Sequence, residues 1–146
     1  MDLSHGTVVL VADGRKLLFF RNEGDGEFPK LEVERKRVED NPPDREQGSD
    51  SPGRSFASAG THRSAYDETD FHQLEEDRFA AEAADLLTRR ALANDFERLI
   101  VVAPPRTLGE LRKHYHVEVE RRLVGELDKE LTGHPVDQIE AIIQAA

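Results

Sequence analysis

Residues 7–21 read Thr-Val-Val-Leu-Val-Ala-Asp-Gly-Arg-Lys-Leu-Leu-Phe-Phe-Arg, and this stretch decides how the rest of the chain is read. Val8, Val9, Leu10 and Val11 form a continuous apolar, β-branched run, the pattern of a strand covered on both faces. Asp13-Gly14 follows, and Asp-Gly between two apolar runs is the strongest short signal for a β-hairpin. Leu17 to Arg21 is then the return strand. Asn22 to Glu27 holds two glycines and reads as a turn. Leu31 to Val38 is a third strand, in which Leu31 and Val33 alternate with Glu32 and Glu34. Three sequential antiparallel strands make a meander.

Residues 39–69 break this pattern with Pro42-Pro43, Gly48, Pro52-Gly53 and Gly60. A connection of that length inside a small domain is either a working loop or a passive insertion, and we read it as one long mobile loop. Asp70 is placed as the N-cap of a helix, with Gln73 completing a capping box. Phe71, Leu74, Phe79, Ala83, Leu86, Leu87 and Ala91 recur at helical spacing, and Asn94 suits the C-terminal cap. Arg98 to Ala103 is a buried strand stopped by Pro104-Pro105. Thr107 and Glu110 form a second capping box, which predicts a helix from Leu108 to about His114. Val117 to Arg122 is a short helical turn. Leu123, Leu127 and Leu131 fit helical spacing, but Gly125 and the short length disfavour a helix, so Leu123 to Leu131 is read as a strand with these three facing in and Val124, Glu126, Asp128 and Glu130 facing out. Pro135 at the first helical position opens a last helix, Val136 to Ile143, which buries Val136, Ile139, Ile142 and Ile143.

The order β-β-β-α-β-α-β-α predicts an α/β fold of ribonuclease-H-like topology. Its mixed five-stranded sheet runs in the order 3-2-1-4-5 with helices on both faces. The 146 residues suit one domain, 1–146. Twenty basic side chains against thirty acidic ones give a formal charge of −10, which argues against nucleic-acid or anionic-membrane binding by the whole surface and leaves room for a local basic patch. The absence of cysteine excludes disulfides, thiolate metal sites and a cysteine nucleophile. No apolar run approaches the ~20 residues of a membrane span, and Met1 to Gly6 lacks a basic and apolar leader. The expectation is a cytoplasmic protein without membrane insertion; its oligomeric state leaves no trace in the sequence.

Two segments carry a family resemblance. Leu99-Ile-Val-Val-Ala-Pro-Pro-Arg-Thr-Leu-Gly-Glu-Leu-Arg112 resembles the strand–Pro-Pro–helix signature of the bacterial host attachment protein family. Glu126-Leu-Asp-Lys-Glu-Leu-Thr-Gly-His-Pro-Val-Asp-Gln-Ile-Glu140 resembles that family's C-terminal block. The Asp13-Gly14 hairpin and Gly53-Arg54-Ser55-Phe56 fit the same pattern. The family's fold is similar to the middle domain of archaeal and eukaryotic class I peptide-release factors. The resemblance therefore implies work at the ribosome, on tRNA or rRNA, or with a protein partner in host attachment. In those factors the loop after the third strand carries Gly-Gly-Gln for peptidyl-tRNA hydrolysis. Here the corresponding loop holds Ala59-Gly60-Thr61-His62-Arg63-Ser64-Ala65, with no Gly-Gly and no Gln at that place. No catalytic residue is carried over, and a non-enzymatic interaction module is expected.

The candidate contact residues lie on that loop. Ser51 to Tyr66 holds Arg54 and Arg63, no acid, and Phe56, His62 and Tyr66, a mixture suited to phosphate contact and base stacking. The same residues also suit an ordinary polar loop. The competing enzyme is a hydrolase acting on an RNA ester, or a two-metal nuclease with Asp13 joined by Glu75, Glu76 or Asp128. Against the nuclease, Asp13 serves as a turn residue and the two glutamates belong to a solvated helix face. His114 and His116, two apart, share no helix face, and His5, His62, His72 and His134 are scattered, so neither a metal nor a cofactor is expected. Arg35, Lys36 and Arg37 read as a solvated sheet edge.

Overall fold

A computed structural model describes residues 1–38 and 65–146, with side chains described for 1–37 and 71–146. The described elements are β1 (Val8–Ala12), β2 (Lys16–Asn22), β3 (Leu31–Val38), α1 (Ala65–Leu92) and β4 (Leu99–Val102). They continue with α2 (Pro105–Arg112), α3 (Val117–Arg122), β5 (Leu123–Leu127) and α4 (Val136–Ala145). The sheet order is β3-β2-β1-β4-β5, as the sequence predicts. β1 runs antiparallel to β2 and parallel to β4, and β4 runs parallel to β5.

Every residue of β1 is buried, which is why its sequence is apolar without alternation. Val8, Leu10 and Ala12 face one layer together with Leu17 and Phe19, against Phe79, Ala83 and Leu87 of α1, Leu108 and Leu111 of α2 and Val119 of α3. Val9, Val11, Leu18 and Phe20 face the other, against Leu3, Leu131 and Ile139 and Ile143 of α4. The period-two alternation thus sends one strand's side chains into two cores.

Several boundaries differ from the sequence reading. α1 begins at Ala65, so residues 65–69 belong to the helix rather than the loop and Asp70 is not its N-cap. Gln73 bonds forward to Asp77 at 2.6 Å instead of capping. Phe71 and Leu74, expected in the core, are exposed, because α1 packs on the sheet only from Phe79 onward. Twenty-eight residues span about 42 Å of helix, far more than the short strands beneath can cover. α2 starts at Pro105 with Pro104 as its N-cap and no side-chain cap, so Thr107 lies inside the first turn. Pro105 supplies the fixed φ of that turn and has no N–H to satisfy. The strand expected over Leu123–Leu131 ends at Leu127, and Val124 packs inward together with Leu127 while Leu123 meets the opposite core. Leu131 reaches the second core from the following loop. Pro135 is the N-cap of α4 rather than its first residue, and the helix continues to Ala145.

Two polar clusters hold the irregular parts. Asn22 is fully buried; its Nδ2 donates to the carbonyls of Leu3, Ser4 and Asp25, and its Oδ1 accepts from the N–H groups of Gly24 and Lys30. Gly24 is required there, since a Cβ would fall 2.2 Å from the Phe28 carbonyl oxygen. At the C-terminal end of α1, Arg90 lies with its guanidinium carbon 4.8 Å from the Phe19 ring centroid and pairs with Glu34 and Asp95, each at 2.7 Å. Glu34 also accepts from Arg21 at 2.7 Å. Partial burial alone would push the Glu34 carboxyl up, but the bonds from Arg21 and Arg90 outweigh it and hold the group below the ordinary carboxylate range. Asn94 takes positive φ (58°) just past α1, as a C-terminal cap requires.

Candidate functional site

β1, β4 and β5 are parallel, and β3 is brought parallel to β1 by two antiparallel pairings, so all four strands end at one edge of the sheet. In open α/β sheets this carboxyl edge is where ligands bind. Val38, the last residue of β3, lies opposite Lys16, so the chain enters residue 39 beside the β1–β2 turn.

That turn is built by Asp13. Its Oδ1 accepts from the N–H groups of Arg15 and Lys16, both at 2.7 Å, its own N–H donates to the Lys16 carbonyl at 2.9 Å, and its Oδ2 accepts from the Thr132 hydroxyl at 2.8 Å. Neither Asp13 nor Gly14 takes positive φ, so Asp-Gly makes its hairpin through a side-chain-closed turn rather than a left-handed one. Gly14 instead lies against α1: a Cβ there would fall 2.7 Å from Cδ of Glu76, so the flexible end of that side chain would have to swing aside.

Asp13, Gly14, Arg15 and Lys16 form one wall of a cleft of about 530 Å³, closed by Glu76, by Pro104, Arg106 and Thr107 at the start of α2, and by Glu130. Of the nuclease carboxylates, Asp13 and Glu76 line this cleft. Glu75 instead pairs with Arg78 at 3.0 Å, and Asp128 does not line the cleft. Among the described residues no three His, Asp or Glu side chains group as a metal-binding set. Both oxygens of Asp13 are engaged by the turn and Thr132, so its carboxylate serves the hairpin.

His114 and His116 lie between helices rather than within one, and His116 caps α3, accepting from the Glu118 N–H at 3.0 Å. Tyr115 donates from its hydroxyl to Glu126 at 2.9 Å, and Arg112 grips the same carboxylate at 2.7 and 2.9 Å. Burial, then the bond to Glu126, push the Tyr115 phenol up, so it stays a neutral donor that ties the α2–α3 turn to β5.

Of the predicted contact residues, Arg54, Phe56, His62 and Arg63 lie outside the described residues. Tyr66 lies in the first turn of α1 rather than in a loop. The cleft residues Arg15, Lys16, Arg106 and Glu130 were not foreseen as a group. The available signal was Arg15-Lys16 directly after the Asp13-Gly14 turn and Arg106 directly after the double proline, both at the ends of strands predicted to be adjacent.

The domain is α/β, a mixed sheet in this order with helices on both faces. The chain belongs to bacterial archaeo-eukaryotic release factor family 12, whose model matches residues 6–143. No curated protein matches it in sequence. No described helix is long and apolar enough to cross a membrane.

Proposed function

We propose that the protein is a non-enzymatic interaction module on a ribonuclease-H-like, release-factor-type domain, which contacts ribosomal RNA or tRNA through the segment between β3 and α1. The observation that carries this reading is family membership over residues 6–143 joined to a sequence, Ser51 to Tyr66, that holds cations and aromatics without an acid. The release-factor relationship favours a partner in translation, and with it a cytoplasmic location. Gly-Gly-Gln is missing from the segment, which favours binding over peptidyl-tRNA hydrolysis.

The test is ribosome co-sedimentation of the wild type against the Arg54→Ala, Arg63→Ala double variant at two salt concentrations. Loss of association in the variant supports the reading. Two neutralised phosphates give a shallow salt slope, about −2 or less. Absent association of the wild type, or equal association of the variant, overturns it and leaves a protein partner, including one in host attachment, as the leading alternative.

A further inference from the structure

Charge pairing is uneven across the molecule. Among the described residues, eleven lysines and arginines form ion pairs, including Arg21, Arg37, Arg90, Arg112 and Arg122. Arg15, Lys16 and Arg106 form none, and all three line the cleft at the carboxyl edge of the sheet. Arg35 and Lys36 also form no ion pair among the described residues and lie on β3, three and two places before Val38 faces Lys16. Three cations, Arg15, Lys16 and Arg106, and three carboxylates, Asp13, Glu76 and Glu130, thus line one cleft with no ion pair between them among the described residues.

The cleft also holds carboxylates. Glu76 is laid against the backbone of Gly14, and neither it nor Glu130 has a hydrogen-bond or salt-bridge partner among the described residues. Opposite charges thus line one cavity without closing on each other, whereas elsewhere in the same protein they pair at 2.6–3.7 Å. Both signs keep open valences. A ligand that completes them offers an anion to Arg15, Lys16 and Arg106 and hydroxyl or amino donors to Glu76 and Glu130. The cleft, open to solvent, has a volume of about 530 Å³, within the range of small-ligand sites.

We infer that this cleft binds a nucleotide unit, with its phosphate on Arg15, Lys16 and Arg106 and its sugar or base donors on Glu76 and Glu130. The source is a free nucleotide or one residue of an RNA strand, and the chemistry is the same for both. The inference does not rest on the loop contact proposed above, because it uses neither Arg54 nor Arg63.

The experiment is calorimetric titration of the full chain with AMP, with adenosine, and with a short single-stranded oligoadenylate. The Arg15→Ala, Arg106→Ala double variant is run beside the wild type, after circular dichroism has confirmed that it folds. Both arginines are exposed, so folding should be unaffected. The expected result is saturable binding of AMP or of the oligonucleotide, at least tenfold weaker in the double variant, with adenosine at least tenfold weaker than AMP. Gly14→Ala, which drives a methyl group into the Glu76 side chain, should also weaken binding. AMP binding that the oligonucleotide does not displace identifies a free nucleotide. Oligonucleotide binding without AMP binding identifies an RNA strand. Absence of binding by either probe, or equal binding by the folded double variant, overturns the inference. Because the loop variant retains the cleft, its ribosome result and this one fail independently.

Discussion

The hydroxyl of Thr132 donates to Oδ2 of Asp13 across 2.8 Å, joining two residues 119 positions apart. The bond fixes the loop before α4 against the first hairpin and completes the set of donors around one carboxylate. Asp13→Ala removes the acceptor for two backbone N–H groups and for Thr132 together. It should cost about 2–3 kcal/mol, whereas Thr132→Val should cost about 1 kcal/mol. Urea denaturation of the two variants checks the ranking, and equal losses would contradict it.

Asn22 should be among the least replaceable polar residues. Its five bonds to the Leu3–Ser4 segment and the 22–30 turn are made inside a fully buried site. Asn22→Ala should lower stability by about 3 kcal/mol or more, since several backbone groups lose their partner at once. Thermal unfolding followed by circular dichroism reads the effect.

Acid should act through Glu34. Its carboxyl titrates lower in the folded protein than in the unfolded chain, so the folded state binds fewer protons there. The stability it confers is complete above the unfolded value, roughly 4.3, and is lost as the pH falls through the lower folded value. Glu34→Gln should flatten this part of the stability–pH curve and cost about 1 kcal/mol at neutral pH. Urea midpoints of both proteins between pH 3 and pH 7 measure it; parallel curves would refute the assignment.

On purified ribosomes programmed with a stop codon, the protein should leave peptidyl-tRNA intact. Hydrolysis well above background and dependent on the stop codon would show that another group replaces the missing glutamine.

How far the sequence foretold the molecule depends on how local each signal is. The run Val8–Val11 and the Asp13-Gly14 turn identify the central strand and its hairpin because burial on both faces and turn closure are properties of neighbouring residues. Asn94 was legible for the same reason. The start of α1 was misplaced because Asp70 makes a plausible cap, and only the absence of sheet beneath Phe71 and Leu74 shows that the helix overhangs. Val124 was placed outward because Leu123, Leu127 and Leu131 share a spacing, whereas β5 is covered on both faces. The cleft was only half legible: the predicted pairing of β1 with β4 sets Arg15 and Arg106 at neighbouring strand ends, whereas Glu76 and Glu130 reach it from α1 and the loop after β5, which no local signal places. Arg90 against Phe19 is equally non-local.

The pairing of Val8 with Leu99 has one more effect, on what the insertion between β3 and α1 costs. These partners are about ninety residues apart, so the chain entropy of bringing them together is already set by a long contour. That entropy rises only with the logarithm of length. Deleting all of residues 39–64 would change it by about 0.3 kcal/mol. The length of the segment therefore adds little to this one closure, so its many residues cost little chain entropy at the centre of the sheet.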